Sequence, residues 1–182
     1  MLEMLLVAGF GGQGVLRIGQ MICYAGIDEG REVSWYPSYG SAMRGGTANC
    51  SVVVSDEQVP SPVISPGEAT ALIAMNQPSL DSFESMLAPG GCLLINSSLI
   101  KGNPKRDDLK IYHVPANDIA VEEGNPLGAN MVALGAYAAV SGTVELETLF
   151  KIVDKTFVDK KAKYAAVNKK LLRRGYDCIQ SI

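Results

Sequence analysis

Met4-Leu5-Leu6-Val7-Ala8, Gly9-Phe10-Gly11-Gly12-Gln13-Gly14 and Val15-Leu16-Arg17-Ile18 follow one another near the start of the chain, and their reading decides the fold. Five apolar residues without alternation read as a strand buried on both faces, as inside a parallel sheet. The stretch after the glycines has a helical period, with Val15, Ile18, Ile22, Ala25 and Gly26 on or near one face. Between the two lie four glycines in six residues, spaced G-x-G-x-x-G. That spacing permits a tight strand-to-helix turn, lets backbone approach an anion and lets helix and strand pack closely. N–H groups at the helix start then face whatever sits there, and the helix dipole favours negative charge. The plainer alternative is a turn whose glycines serve packing alone.

A dinucleotide site would need an acid at the tip of the second strand, to hold a ribose hydroxyl. The next strand candidate, Glu32-Val33-Ser34-Trp35-Tyr36, runs out through Pro37-Ser38-Tyr39 with no acid there. Asp28, Glu29 and Glu32 lie at its wrong end. A stand-alone NAD- or FAD-binding protein is therefore the secondary reading, and an anion cradle the primary one.

A chain of 182 residues fits one domain, 1–182, with a sizeable core. No apolar run approaches the ~18 residues of a membrane span, and Met1-Leu2-Glu3-Met4 lacks a basic leader region, so a cytoplasmic protein is expected. Neither a nucleic acid nor a membrane is expected as partner. Cys23, Cys50, Cys92 and Cys178 form no C-x-x-C pair, which argues against zinc or an iron–sulfur cluster held by this chain alone. Each fits a small apolar core position. Net charge is −3, yet Lys160 to Arg174 holds seven basic residues and no acidic one. That run is either a docking element or a solvated helix face.

Along the chain, Gly30-Arg31 turns into the second strand, and a long loop, Pro37 to Thr47, follows it. Arg44-Gly45-Gly46 in that loop suits a phosphate or carboxylate, through a planar guanidinium and accessible backbone N–H groups. Ala48–Ser55 is a β-branched strand, and the Asp56-Glu57 turn predicts a short hairpin, an antiparallel excursion from a parallel sheet. Ala69–Asn76 is a buried strand, Pro78–Leu87 a helix stopped by Pro89-Gly90-Gly91, Cys92–Asn96 a strand, and Ser97–Asp108 a surface excursion. Leu109–Val114 is the last strand and ends beside His113, the sole histidine, read as inert. Asn125-Pro126 opens a helix to Ser141-Gly142 that is apolar all round, with Asn130 polar near its start. Another helix begins over Thr143–Phe150, and Asp159 caps a basic terminal helix with Tyr164, Asn168, Leu171 and Leu172 on one face. The β-α-β rhythm predicts an α/β fold, three-layer and Rossmann-like, with a mostly parallel sheet and C-terminal helices.

Three landmarks stand in order: Gly9–Gly14, then Ser38-Tyr39-Gly40-Ser41-Ala42-Met43-Arg44-Gly45-Gly46-Thr47-Ala48, then Asn130 leading into Leu134-Gly135-Ala136. Together they resemble the gamma subunit (or gamma domain) of the 2-oxoacid:ferredoxin oxidoreductases over nearly the whole chain, and most of all the 2-oxoglutarate branch, with the branched-chain 2-oxoacid and pyruvate branches near. The resemblance implies a complex in which a 2-oxoacid is decarboxylated on thiamine diphosphate, electrons leave through iron–sulfur clusters to ferredoxin, and coenzyme A takes the acyl group. Thiamine diphosphate, its Mg and the clusters would belong to alpha and beta subunits, with or without a delta subunit, and none to this chain. The gamma part would complete the assembly and help to form the coenzyme A site. Carried over residue by residue, the resemblance assigns that site to Gly9, Gly11, Gly12, Gln13 and Gly14, to Arg44, Gly45, Gly46 and Thr47, and to Asn130. It assigns no catalytic residue and no metal ligand. One departure is that Ser41-Ala42 stands where many relatives have a Pro-acid pair.

Overall fold

The computed structural model describes residues 1–39, 46–59 and 61–180. Six strands, β1 (Leu2–Phe10), β2 (Glu32–Tyr39), β3 (Thr47–Ser55), β4 (Ala69–Ala74), β5 (Leu87–Asn96) and β6 (Lys110–Val114), form one sheet in the order β2-β3-β1-β4-β5-β6. The pairs β1–β4, β4–β5 and β5–β6 are parallel, while β3 runs antiparallel to both β1 and β2. The sheet is therefore mostly parallel, as expected, with its antiparallel strand elsewhere than predicted. Asp56-Glu57 makes no hairpin; the antiparallel element is β3 itself, which wedges between β1 and β2. The expected loop from Pro37 is shorter at its start, since β2 extends through Pro37 to Tyr39, and β2 and β3 are antiparallel neighbours.

The buried runs in the sequence are the central strands, and alternation along each divides the core into two. Leu5, Val7, Cys50, Val52, Ile73 and Leu94 face one side, and Leu6, Ala8, Val53, Leu72, Leu93 and Ile95 the other. The first side is covered by α1 (Val15–Asp28), α3 (Ala116–Glu122), α4 (Ala129–Ser141), α5 (Leu146–Thr156) and α6 (Ala165–Gln180). The second is covered more thinly by α2 (Gln77–Phe83) and by Ile64, Ile100 and Leu109 from flanking loops. Ile100 lies inside the Ser97–Asp108 excursion and is nonetheless buried, so that segment serves as part of a layer. Three other expectations shift. Helix α2 ends at Phe83 and β5 starts at Leu87, so Pro89-Gly90-Gly91 lies within a strand rather than stopping a helix. Helix α3 was not expected. Asp159 opens a 3-10 turn, Asp159–Tyr164, and α6 begins only at Ala165.

Helix α4, apolar all round, is buried from Ala129 to Ala138 and ends at Gly142 in a left-handed turn, φ 61°. It packs between the sheet and α6. The face of α6 that is buried comprises Asn168, Leu171, Leu172 and Gly175, and it meets α4 of its own chain rather than a partner. Tyr164 stays outside that contact, 44% exposed. The basic run is largely answered within the chain. Lys169 pairs with Asp154 at 2.5 Å, Lys170 with Glu123 at 2.5 Å, Arg173 with Glu147 at 3.0 Å, and Arg174 with both Glu122 and Glu123. The Lys169–Asp154 and Arg173–Glu147 pairs are accessible to solvent and contribute little singly, about 0–1 kcal/mol, whereas the Glu123 side chain is only 8% exposed. Hydrogen bonds from Lys170 and then Arg174 hold the Glu123 carboxyl below its ordinary range. A carboxylate depressed by folding stabilises above its unfolded pKa, and that contribution fades as pH falls through the folded value. Glu123→Gln is therefore expected to flatten the acid limb of a thermal-stability profile while leaving the neutral-to-basic limb parallel to wild type, as followed by circular dichroism. An unchanged acid limb would mean that the pairing of Glu123 with Lys170 and Arg174 contributes nothing to stability.

Candidate functional site

Strand β1 delivers the glycine turn to the carboxyl edge of the sheet, and the turn closes on itself through three kinds of bond. Gln13 N–H donates to the Phe10 carbonyl at 3.0 Å, and the N–H groups of Arg17 and Ile18 both donate to Gly14 O. The Gln13 side chain then ties the turn to β4: Oε1 accepts from Phe10 N–H at 2.7 Å and from Asn76 Nδ2 at 2.7 Å, and Nε2 donates to Met75 O at 3.2 Å. Asn76 in turn caps α2, its Oδ1 accepting from Ser79 N–H at 2.9 Å. The amide of Gln13 is thus engaged by the protein itself. Gly11 N–H donates to Gly46 O at 2.9 Å, and Thr47 pairs opposite Phe10 in the β1–β3 ladder. The two glycine-bearing loops, separate in sequence, are brought side by side.

Two glycines of the turn have conformations that other residues resist, Gly12 at φ 99° and Gly14 at φ 74°. A Cβ on Gly14 would also lie 2.5 Å from Asn130 Nδ2. Gly9 serves packing instead, since a Cβ there would sit 2.7 Å from Val15 Cγ1 and 3.0 Å from Met75 Cβ. The N–H groups of Gly12, Gly14, Val15 and Leu16 have no partner among the described residues. Gly14 is the N-cap of α1, no side chain caps that end, and no acid stands in the first turn. These are the conditions for an anion at a helix start. They line a cleft of about 400 Å³, closed on its other side by Gly46, Thr47 and Ala48. Of the expected site residues, Gly11, Gly12, Gly14, Gly46 and Thr47 line this cleft, whereas Gly9 and Gln13 do not: Gly9 packs against Val15 and Met75, and the Gln13 amide is engaged by Phe10, Met75 and Asn76. Arg44 and Gly45, with the Ser41-Ala42 departure, lie outside the described residues.

Asn130, at the start of α4, stands over Gly14 from the other side. It is only 8% exposed. With Gly14 and Arg17 it lines a second cleft of about 420 Å³, which shares that wall with the first. Arg17, which was not among the expected site residues, lines both clefts, and the sequence carried a signal for it. A cation in the first turn of a helix opposes the dipole by roughly 0.3–1 kcal/mol. Arg17 has no ion-pair partner among the described residues to offset this.

The cysteines play no part in the site. Cys23 and Cys50 are buried, with Sγ turned to the Ser34 and Val15 carbonyls, and Cys92 is half-buried. Burial pushes all three thiols up to about 12, so they stay protonated. No cluster of three or more His, Cys, Asp or Glu suited to a metal occurs among the described residues, and the donor set does not fit an iron–sulfur cluster. His113 is exposed on the edge strand β6. No helix of the described residues is long and apolar enough to cross a membrane.

Comparison with known proteins places this geometry. The chain is 40% identical over 171 residues to the ketoisovalerate oxidoreductase subunit VorA of Methanothermobacter marburgensis, covering 94% of this chain and 35% of that one. It is 32% identical over 151 residues to the 2-oxoglutarate synthase subunit KorC of Methanocaldococcus jannaschii, covering 81% and 79%. The chain thus spans about a third of the VorA subunit's length but most of the KorC subunit's. Among solved structures, it is similar to a keto/oxoacid ferredoxin oxidoreductase gamma subunit from Geobacter sulfurreducens, with TM-score 0.84 and 27% identity over 99% of both chains. The 2-oxoglutarate:ferredoxin oxidoreductase of Magnetococcus marinus, solved with 2-oxoglutarate, coenzyme A and succinyl-CoA, shares the fold at TM-score 0.89 and 22% identity, over all of this chain and 31% of that one. The pyruvate ferredoxin/flavodoxin oxidoreductase family model matches residues 4–178. The chain belongs to that family and has the fold of its gamma subunits.

Proposed function

We propose that residues 1–182 act as the gamma component of a cytoplasmic, thiamine-diphosphate-dependent 2-oxoacid:ferredoxin oxidoreductase, and that the glycine-turn cleft receives a phosphate of coenzyme A. The observation that carries this reading is the set of unpartnered N–H groups at Gly12, Gly14, Val15 and Leu16 in a cleft with no acid of its own. Phosphate oxygens complete those donors, and the start of α1 stabilises their charge. The presence of coenzyme A in the similarly folded Magnetococcus complex supports the choice of anion. Thiamine diphosphate with Mg, and the iron–sulfur clusters that pass electrons to ferredoxin, belong in this reading to alpha, beta and, where present, delta subunits. Those groups would supply decarboxylation and electron transfer. This chain's own residues bind and orient the thiol acceptor.

The motif likeness favours 2-oxoglutarate as the oxoacid. The 40% identity to the ketoisovalerate subunit, against 32% to the 2-oxoglutarate one, favours a branched-chain 2-oxoacid as the second reading. Comparing kcat/KM of the assembled enzyme for the two acids decides between them.

The site itself is tested at Arg44. In the assembled complex, Arg44→Ala is expected to raise the Michaelis constant for coenzyme A by about ten- to a hundredfold, the loss of one charge-assisted contact of about 1.5–3 kcal/mol. The isolated chain is expected to turn over no 2-oxoacid. An unchanged constant for coenzyme A, or turnover by the chain alone, would refute the proposal.

A further inference from the structure

We infer that Asn76 is a positioning residue for the coenzyme A cradle: it fixes which way round the Gln13 amide sits, and through Gln13 it sets the closure of the glycine turn. The inference rests on the proposed coenzyme A reading and adds to it a residue that no motif marks. Asn76 stands 63 positions from Gln13 in the chain and lines neither of the two clefts.

A side-chain amide has nearly the same shape at both ends but opposite polarity, so its neighbours decide its orientation. Around Asn76 and Gln13, three of those neighbours are main-chain groups, whose polarity cannot be reversed. Ser79 N–H can only donate, and it donates to Asn76 Oδ1 at 2.9 Å. That leaves Asn76 Nδ2 to donate to Gln13 Oε1 at 2.7 Å. The same Oε1 accepts from Phe10 N–H at 2.7 Å, which leaves Gln13 Nε2 for the Met75 carbonyl at 3.2 Å. Met75 O is held from another side by Nδ2 of the fully buried Asn96, also at 3.2 Å. One orientation of each amide satisfies every partner, and the opposite one sets donor against donor and acceptor against acceptor. Asn76 is only 5% exposed, so its bond to Gln13 is sheltered from competing water. The consequence reaches the cradle through Phe10, which donates to the Gln13 side chain and accepts from the Gln13 main chain at 3.0 Å. A Gln13 amide turned the wrong way would press its own donor on Phe10 N–H and open the turn whose free N–H groups face the anion.

Asn76 also caps α2, and the test separates that duty from the one proposed. Serine and aspartate both cap helices about as well as asparagine. Asn76→Ser keeps the cap and offers Gln13 nothing, because the side chain is too short. Asn76→Asp keeps the cap and brings an oxygen to Gln13 Oε1, so that no orientation of the Gln13 amide satisfies Phe10, Met75 and position 76 together. In the assembled oxidoreductase, Asn76→Asp is expected to raise the Michaelis constant for coenzyme A at least about tenfold, and Asn76→Ser about threefold. In both, kcat at saturating coenzyme A should stay within about twofold of wild type. General loss of fold would lower the amount of active enzyme, and with it kcat, but not the constant for coenzyme A, so the split between the two identifies the turn. If the aspartate variant does not assemble, the serine variant carries the test, and a wild-type constant there overturns the inference. Should both variants keep the wild-type constant while Arg44→Ala raises it, Asn76 is a helix cap alone and the coenzyme A reading stands. If Arg44→Ala leaves the constant untouched as well, the two readings fall together.

Discussion

Gly135→Ala and Gly175→Ala are each expected to destabilise the chain by about 3 kcal/mol, although alanine is the better helix former at both positions. The two effects have opposite signs, and magnitude decides between them. Replacing glycine by alanine inside a helix stabilises it by about 0.8–1.0 kcal/mol in isolation. Here a Cβ on Gly135 would lie 2.0 Å from the Leu172 carbonyl oxygen, and one on Gly175 would lie 2.0 Å from the Val132 carbonyl oxygen. Both obstacles are backbone, so neither can swing aside. The only relief is to separate α4 from α6, which opens voids around Leu171 and Leu172, both fully buried. Gly26→Ala is the control. A Cβ there meets Val33 Cγ1 at 2.8 Å, a stiff β-branched side chain rather than backbone, and the expected loss is smaller, about 1–2 kcal/mol. Urea denaturation of the purified chain measures all three through the shift of the midpoint at constant slope. A Gly135→Ala midpoint at or above wild type would mean that the two helices are not in close contact.

That contact also shows what sequence can and cannot convey. The all-apolar stretch from Met131 to Val140 declares a helix buried on every side, and its small residues announce a close neighbour, because such a surface has nowhere else to go. Which neighbour is not encoded locally. The face formed by Asn168, Leu171 and Leu172 reads equally well as a surface for another subunit until the fold places it against α4. The sheet repeats the lesson. Unbroken apolar runs mark the central strands, and strand–turn–helix spacing marks the anion cradle, because both are properties of neighbouring residues. The insertion of β3 beside β1 depends on pairing between residues 37 and 43 positions apart, Phe10 with Thr47 and Val7 with Cys50, and nothing within either strand specifies its direction. At the site, the glycines were legible from their φ requirements. Arg17 left only a faint trace in the sequence, a cation in the first turn of a helix, and its lack of an acidic partner among the described residues is seen only in three dimensions.

Gln13 yields the second large effect, since it joins scaffold and cradle. Its amide accepts from Phe10 N–H and Asn76 Nδ2 and donates to Met75 O. Gln13→Leu removes all three bonds at a part-buried site and leaves Phe10 N–H and Asn76 Nδ2 unanswered, each at about 1–3 kcal/mol before water from the cleft intrudes, while Met75 O keeps its bond from Asn96 Nδ2 at 3.2 Å. A loss of about 3 kcal/mol in the purified chain is expected, with the turn no longer held to β4. Gln13→Glu separates the two roles. A carboxylate keeps both acceptor contacts but sets an oxygen in place of the donor that faced Met75 O at 3.2 Å, so the stability loss should be about 1–3 kcal/mol, no more than that of Gln13→Leu. Its charge, however, stands in the turn whose N–H groups await an anion, and like charges repel there at an effective dielectric well below that of water. In the assembled enzyme, Gln13→Glu should therefore raise the Michaelis constant for coenzyme A by about a hundredfold, more than its modest stability loss explains. If the two variants rank the same way by stability and by coenzyme A affinity, Gln13 is scaffold alone and the anion lies elsewhere. If the ranks invert, with the folded Gln13→Glu enzyme binding worse than the destabilised Gln13→Leu enzyme, the turn itself carries the negative ligand.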